Sequence, residues 1–254
     1  VFVSTNPTSH FEIVKQCLQK GKNVFVEKPP CLTSSELEEL LKLESPTAKV
    51  VVGFQKRYST IAKILKKRLK KESVKSYNLK FCTGAYPEGD SILDLFIHPL
   101  DLIIHLFDDV VNLKGFVAET DFQLTFKHSN GAIGGVTFST SHSWTTPTDT
   151  LEIVTEKGVY NSKNNKNLIF TATGKTVLGV PLEKVLKSNP TQEILYQNTG
   201  FVPLSEFNSI NEQGYSGEIS AFTSLVEADR KTKNLSSLQE TQKVFKLIDR
   251  IKSI

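Results

Sequence analysis

The sequence predicts an α/β protein in two parts: a parallel sheet covered by helices, then an antiparallel α+β portion. Three observations predict it. Strand-like and helix-like stretches alternate through the first sixty residues with short connections, the pattern of a parallel sheet. From about residue 73 apolar residues recur at every second position, as in half-exposed strands. Within that second region Asn130-Gly131 separates two alternating runs, a dipeptide that favours a tight hairpin.

The first element, "VFVS", is a short apolar run, and Ser9 with Glu12 reads as a capping box for a helix whose stripe is Val14, Cys17 and Leu18 and whose stop is Gly21. "NVFV" is the next strand. Thr33 with Glu36 caps a second helix with Leu37, Leu40 and Leu41 inward, and "KVVVGF" is the third strand. Tyr77, Leu79 and Phe81 then alternate, a helix occupies roughly 91 to 107, and Phe122, Leu124 and Phe126 lead into the hairpin whose return strand carries Val136 and Phe138. "TLEIVTEKGVY" adds a strand and turn. The polar stretch 161 to 214 yields no clear assignment. Two helices close the chain, the second capped by Ser237 and Glu240 with Val244, Leu247, Ile248 and Ile251 as its stripe.

Composition narrows the function classes. At 39% hydrophobic and 23% charged over 254 residues, the chain is neither disordered nor a membrane protein, and no apolar run approaches the ~20 residues of a span. The net charge of +4 is scattered, except for "KKRLKK" at 66 to 71. That run comes after Ile61, Ile64 and Leu65 at helical spacing, so it reads as the solvated face of a helix and not as a nucleic-acid patch. Cys17, Cys31 and Cys82 lack metal-type spacing and read as free thiols of a cytoplasmic protein, and no metal site is expected. A chain that opens inside a strand-like run and contains no methionine is expected to be preceded by a further segment.

Chemistry converges on the residues after the strands. In an open parallel sheet every strand delivers its succeeding residues to the same edge, where ligands bind. Here that means Thr5-Asn6-Pro7, Glu27-Lys28-Pro29 and Gln55-Lys56-Arg57. Asp94, His98, Asp101 and His105 form one polar stripe on an otherwise apolar helix, a stripe that must meet a partner or line a cleft. Asp94 and His98 stand one turn apart and are expected to hydrogen-bond, which would orient the imidazole, unless the pair is purely structural. Pro99 inside the helix is expected to kink it near Leu95. Ser141, His142 and Trp144 in "TSHSW" read as an exposed strand end or as a lining on the substrate side.

A strand-end "EKP" some 65 residues before a helical D-x-x-x-H, with "NPTSH" upstream and "VGFQKRY" downstream, resembles the Gfo/Idh/MocA family of NAD(P)-dependent oxidoreductases, and most of all its MviM-like bacterial branch. The resemblance runs on into the closing pair of helices. It implies a Rossmann-type doubly wound parallel sheet, of which residues 1–57 would be the C-terminal part, and a substrate-binding and oligomerisation α/β domain with a large, mostly antiparallel sheet over 58–254. It implies NAD or NADP as cofactor, with the G-x-G-x-x-G fingerprint expected upstream of Val1. Thr5, Asn6, Pro7, His10, Glu27, Lys28 and Pro29 are then expected to line the cofactor, and Arg57, Asp94 and His98 the substrate. Lys28, His98 and Asp94 would be catalytic. The sequence departs from the family pattern at Phe96, where a glycine is usual, and at Pro99. The implied activity is hydride transfer between a nicotinamide dinucleotide and a hydroxyl or carbonyl of a sugar or polyol. The alternative is a regulatory nucleotide-binding protein that keeps the fold without turnover. The partners expected are this small molecule and a second copy of the chain in a homodimer, the open sheet face being the natural surface.

Overall fold

The computed structural model describes residues 1–174, 176–185, 191–198, 210–228 and 235–254. Residues 229–234, part of the tail carrying the family resemblance, lie outside this set, as does much of the unassigned polar stretch. The chain forms two compact units that are not consecutive in sequence. The first takes residues 1–62, 86–109 and 204–254, and the second takes 63–85 and 110–203.

The first unit is built on a parallel sheet of β1 (Phe2–Val3), β2 (Val24–Glu27) and β3 (Val50–Gly53), in that order. Both β2 and β3 are buried from end to end or nearly so, which is why they read as unbroken apolar runs and not as alternating ones. Helix α1 (Pro7–Gln19) links β1 to β2, and α2 (Ser34–Leu43) links β2 to β3. The start of α1 differs from the expected Ser9 cap: Asn6 caps it, accepting from the Thr8 amide at 3.1 Å, and Pro7 occupies the first turn. The Thr33/Glu36 capping box of α2 forms as expected.

After β3 come a short 3₁₀ turn (Gln55–Tyr58) and α3 (Thr60–Leu69), which carries the chain into the second unit. That unit opens with β4 (Val74–Cys82). The chain then returns to the first unit for a π-helical turn (Ile92–Phe96) and α4 (Ile97–Phe107). At its far end the first unit holds α5 (Tyr215–Ala228) and α6 (Leu238–Lys252). Helix α6 is capped by Ser237, packs on α2 and α4, and buries Val244, Leu247, Ile248 and Ile251 as its periodicity predicts. Just before it, Ser236 lies along β3: its carbonyl accepts from the Val52 amide at 2.8 Å and its hydroxyl donates to the Val52 carbonyl at 2.5 Å.

The second unit is a mixed eight-stranded sheet. Beyond β4 it contains β5 (Val110–Ala118), β6 (Asp121–His128), β7 (Ile133–Ser139), β8 (Thr148–Thr155), β9 (Gly158–Lys163), β10 (Asn167–Ala172), β11 (Thr176–Val177), β12 (Val180–Pro181) and β13 (Gln192–Gln197). The sheet order is β13-β10-β9-β8-β4-β7-β6-β5, antiparallel throughout except for β4 against β7, while β11 and β12 form a separate ribbon. Strand β6 alternates strictly, burying Phe122, Leu124, Phe126 and His128 and exposing the residues between. The outward side chains form an open groove of about 840 Å³ lined by residues such as Lys80, Lys114, Phe116, Gln123 and Thr137. Among the described residues no helix is long and apolar enough to cross a membrane.

Candidate active site

The candidate site lies in the first unit, at the carboxyl ends of its parallel strands. Glu27 ends β2, and the next residue, Lys28, leaves the sheet. His10 ties this segment to the one after β1: its Nδ1 lies 2.8 Å from the Pro29 carbonyl and its Nε2 3.0 Å from the Thr5 carbonyl. The ring is 1% exposed. It therefore fixes the backbone of two of the expected cofactor loops, a structural part that the motif alone does not reveal. Thr5 lies beside it with its hydroxyl on Ser9 at 2.8 Å. The Asn6 side chain is engaged with Thr8, so at this edge it shapes the helix start.

Lys28 reaches across to the polar helix, where its ammonium donates to the main-chain carbonyl of Asp94. Burial pushes the Lys28 amine below its ordinary value, while the charges of Asp94 and Glu27 oppose that shift. The Asp94 carboxylate accepts from the Tyr86 hydroxyl at 3.2 Å and rests against Gly89, where an added Cβ would lie 2.4 Å from Oδ2.

The expected Asp94–His98 hydrogen bond is not formed. Asp94 belongs to the π-helical turn, whose i→i+5 bonding places more residues in a turn than an α-helix and takes Asp94 out of α-register with His98. The His98 Nδ1 atom is buried and has no hydrogen-bond partner among the described residues. Burial, and then the positive charges of Lys28 and Lys56, push His98 well below the usual histidine value. The ring is consequently neutral at physiological pH, packed edge-on to Phe54 at 6.4 Å between centroids. Pro99 stands inside one continuous helical run, because the π-helical turn passes into α4 through Phe96 and Ile97 in helical backbone, so its missing N–H leaves a carbonyl one turn back, at Leu95 or Asp94, without a helical donor. The π-helical turn includes Leu95, where the proline was expected to disturb the helix. Phe96 is fully buried and forms part of the core at the junction.

Arg57 is not exposed to the edge. It is 4% exposed, and its guanidinium grips Asp101 of α4 through Nε at 2.9 and 2.7 Å and Nη2 at 2.6 Å, with Glu240 of α6 at 3.7 Å. Burial works against the guanidinium charge, but Asp101 outweighs it and Arg57 is raised above its ordinary value. The polar stripe is thus divided: the Asp94 carbonyl meets Lys28, whose charge also acts on His98, while Asp101 is committed to Arg57. His105 is buried further along α4.

Three residues of the edge went unrecognised in the sequence. Tyr86 holds Asp94, and Tyr215 and Glu218 of α5 face the ends of β2 and β3. Their signal was available in part: Tyr215 and Glu218 share a helical stripe with Phe222, and an acid on an aromatic-bearing stripe is unusual for a helix face that packs. In the second unit, the Trp144 indole donates to the Ala85 carbonyl at 2.9 Å and the ring is 53% exposed, and the His142 amide donates to the Thr83 carbonyl at 2.9 Å. Among the described residues no cluster of histidine, cysteine or acidic side chains could hold a metal ion.

Comparison with known proteins agrees with this fold. The model of the oxidoreductase family with an NAD-binding Rossmann fold, GFO_IDH_MocA, matches residues 1–54. An inositol 2-dehydrogenase of Serratia proteamaculans is 30% identical over 118 residues, covering 43% of this chain and 35% of that protein. The chain spans 34 to 42% of the length of the curated relatives it matches. Among solved structures, a dehydrogenase from Chromobacterium violaceum superposes over 100% of this chain and 75% of its own, with a TM-score of 0.82 and 19% identity. A UDP-N-acetylglucosamine 3-dehydrogenase from Acidithiobacillus ferrooxidans covers 100% and 77% with a TM-score of 0.78, also at 19% identity. At that identity the structures speak for the fold, and the family match speaks for the parallel-sheet segment. The match of residues 1–54 to that family model and the shared fold make the chain similar to the Gfo/Idh/MocA oxidoreductases.

Proposed function

We propose that the protein is a nicotinamide-dependent dehydrogenase or reductase acting on a hydroxyl or carbonyl of a sugar-like or polyol molecule. The observation that carries this reading is the bond from Lys28, at the carboxyl edge of the parallel sheet, to the Asp94 carbonyl of the helical segment that also carries His98, whose ring feels the Lys28 charge.

The residues fit a dinucleotide on a feature of their own: Oε1 of Gln55, at this edge, is buried and has no hydrogen-bond partner among the described residues. When bound, the nicotinamide supplies the hydride chemistry, and the chain supplies position and field. The segments holding Thr5, Asn6, Pro7 and His10, and Glu27, Lys28 and Pro29, would hold it, with His10 bracing both backbones. His98 then takes the hydroxyl proton in oxidation and returns it in reduction. Its low basicity keeps it unprotonated and ready to accept. Lys28 places a positive charge near the substrate oxygen, where negative charge develops as the proton leaves. Asp94 orients substrate and, through its charge, supports the protonated state of Lys28. Arg57 enters as the residue that fixes α4 through Asp101, and so positions His98 without touching substrate.

In this reading residues 1–57 are the C-terminal part of the dinucleotide domain and 58–254 the substrate and oligomerisation part. The open sheet face, with Phe116 85% exposed, serves a homodimer, a state that light scattering on the purified protein reports directly. The central test is titration of the full-length protein with NADH and NADPH alongside Lys28→Ala, then a screen of sugars and polyols for turnover. Binding of one dinucleotide with turnover of a polyol supports the reading, and absence of binding of either ends it. One observation favours the non-catalytic alternative: His98 has no orienting hydrogen bond at Nδ1 from the described residues. Dinucleotide binding without turnover on any member of the panel would select it.

A further inference from the structure

Three residues of the basic run 66–71, at the end of α3, line a pocket of about 550 Å³ that lies wholly within the second unit. They are Lys67, Arg68 and Lys71. Lys157, in the turn between β8 and β9, adds a fourth cation, and Ile64 of α3 with Phe170 of β10 supplies apolar wall. Lys70 of the same run is exposed and lies outside the pocket, so it fits the expected solvated helix face. Cations gathered from two separate stretches of chain into one concavity go beyond that expectation.

Helix C-termini attract cations, so the ordinary use of such side chains is to neutralise the last carbonyls. Here other groups do so. The Lys71 amide donates to the Arg68 carbonyl at 3.0 Å and the Glu72 amide to the Leu69 carbonyl at 3.3 Å, while the Lys157 ammonium donates to the Lys71 carbonyl at 2.9 Å. Arg68 is paired with Glu193 of β13 at 2.9 Å. Lys67 and Lys71 have no ion pair among the described residues. The acid in the wall, Glu72, is already held: the Thr155 hydroxyl donates to its Oε2 at 2.9 Å and the Tyr160 hydroxyl to its Oε1 at 2.8 Å. With Glu72 and Glu193 set against four cations, the pocket keeps an excess of two positive charges.

A phosphate monoester carries about −1.5 to −2 charge at neutral pH and presents three acceptor oxygens. It matches this excess, and ammonium groups offer donors alone. The wall suits the organic part of such an ester. Phe170 is half-buried, packs on Tyr160 with ring centroids 4.7 Å apart, and has the Arg68 guanidinium 6.0 Å from its ring centre. We infer that this pocket takes a phosphate monoester of a small molecule, the phosphoryl group on Lys67, Lys71 and Lys157 and the organic part against Ile64 and Phe170. The site uses none of the residues of the dinucleotide reading and does not rest on it.

The test is calorimetric titration of the full-length protein in about 0.1 M salt, where charges more than ~10 Å from a bound phosphate are largely screened. The probes are phenyl phosphate, inorganic phosphate and phenol. The wild type is expected to bind phenyl phosphate roughly tenfold more tightly than inorganic phosphate, through the apolar wall, and to show no measurable binding of phenol. Lys67→Gln combined with Lys71→Gln should weaken phenyl phosphate by roughly tenfold or more. Lys20→Gln combined with Lys22→Gln removes the same charge from exposed lysines of the first unit and should change the affinity by less than about twofold. Equal losses in the two double variants, or no loss in the first, would overturn the site. Equal affinity for phenyl phosphate and inorganic phosphate would overturn the monoester assignment, since the wall then selects nothing. Absence of binding of either phosphate overturns the inference entirely. None of these outcomes bears on NADH or NADPH, whose titration is a separate measurement.

Discussion

The ammonium of Lys28 donates to the main-chain carbonyl of Asp94, while the carboxylate of Asp94 turns to Tyr86. Lys28 is therefore positioned by backbone and tuned by charge, through two different parts of one residue. The two effects are separable by mutation. Asp94→Asn keeps the carbonyl, so the Lys28 contact survives, but it removes the negative charge that opposes the burial-driven lowering of the Lys28 pKa. The expected outcome is an alkaline limb of the pH–rate profile that moves to lower pH in Asp94→Asn than in wild type. An unchanged alkaline limb would show that Lys28 does not set it.

In the proposed reaction the acid limb belongs to His98. Oxidation requires the neutral imidazole, and burial together with Lys28 and Lys56 holds its pKa well below the ordinary histidine value. Activity should thus stay level as pH falls through the usual histidine range and decline only further into acid. In Lys56→Gln, one of the opposing charges is lost and the acid limb should shift upward. His98→Gln should lower kcat by ~10²-fold or more, with the acid limb abolished. A wild-type limb centred at the ordinary histidine value would contradict the packing of the ring.

The Arg57–Asp101 pair supports α4 from inside. Both side chains are essentially buried, so removing one partner leaves the other uncompensated, at a cost of about 3–5 kcal/mol. Urea denaturation of Arg57→Met and Asp101→Leu should show losses of that order. The double variant should lose clearly less than the sum, since a buried pair replaced by apolar residues leaves no orphan charge. Additive losses would mean that the two residues act independently.

Much of the architecture was legible because burial writes itself into periodicity. Val24–Val26 and Val50–Val52 are buried on both faces and read as continuous apolar runs, and the strict alternation of β6 appears in Phe122, Leu124 and Phe126. Strands β10 and β13 were not legible, because β13 is an edge strand with mostly exposed side chains and so carries no alternating apolar code. At the candidate site, EKP and D-x-x-x-H singled out Lys28, Asp94 and His98, but a one-dimensional stripe assumed α-helical register. The π-helical turn broke that register between Asp94 and His98; Pro99 signals a disturbance one turn back, but not that it takes the form of an i→i+5 turn. Arg57 and Asp101 likewise looked like site residues because charge in sequence does not reveal whether its partner is a ligand or another side chain.

Glu218 makes a prediction about stability that needs no knowledge of substrate. Burial, with a smaller contribution from Glu27 on β2, raises its carboxyl from an ordinary value of 4.5 to about 8. The folded state therefore binds a proton that the unfolded state releases between those two values. In that window stability falls as pH rises, and above about 8 the carboxyl is ionised in both states and the dependence from this group ends. Since each pK unit is worth about 1.4 kcal/mol, the loss is on the order of a few kcal/mol. Glu218→Gln keeps the shape and cannot ionise. Wild type and variant, compared by urea denaturation from pH 5 to pH 9 (roughly, to bracket the transition), should diverge progressively with rising pH, the wild type losing stability that the variant keeps. Tyr215 and Glu27 face the same group and remain in both proteins, so their own titration cancels in the difference. A difference that does not change with pH would mean that Glu218 is ionised in the fold throughout, and that a cation or donor already neutralises it.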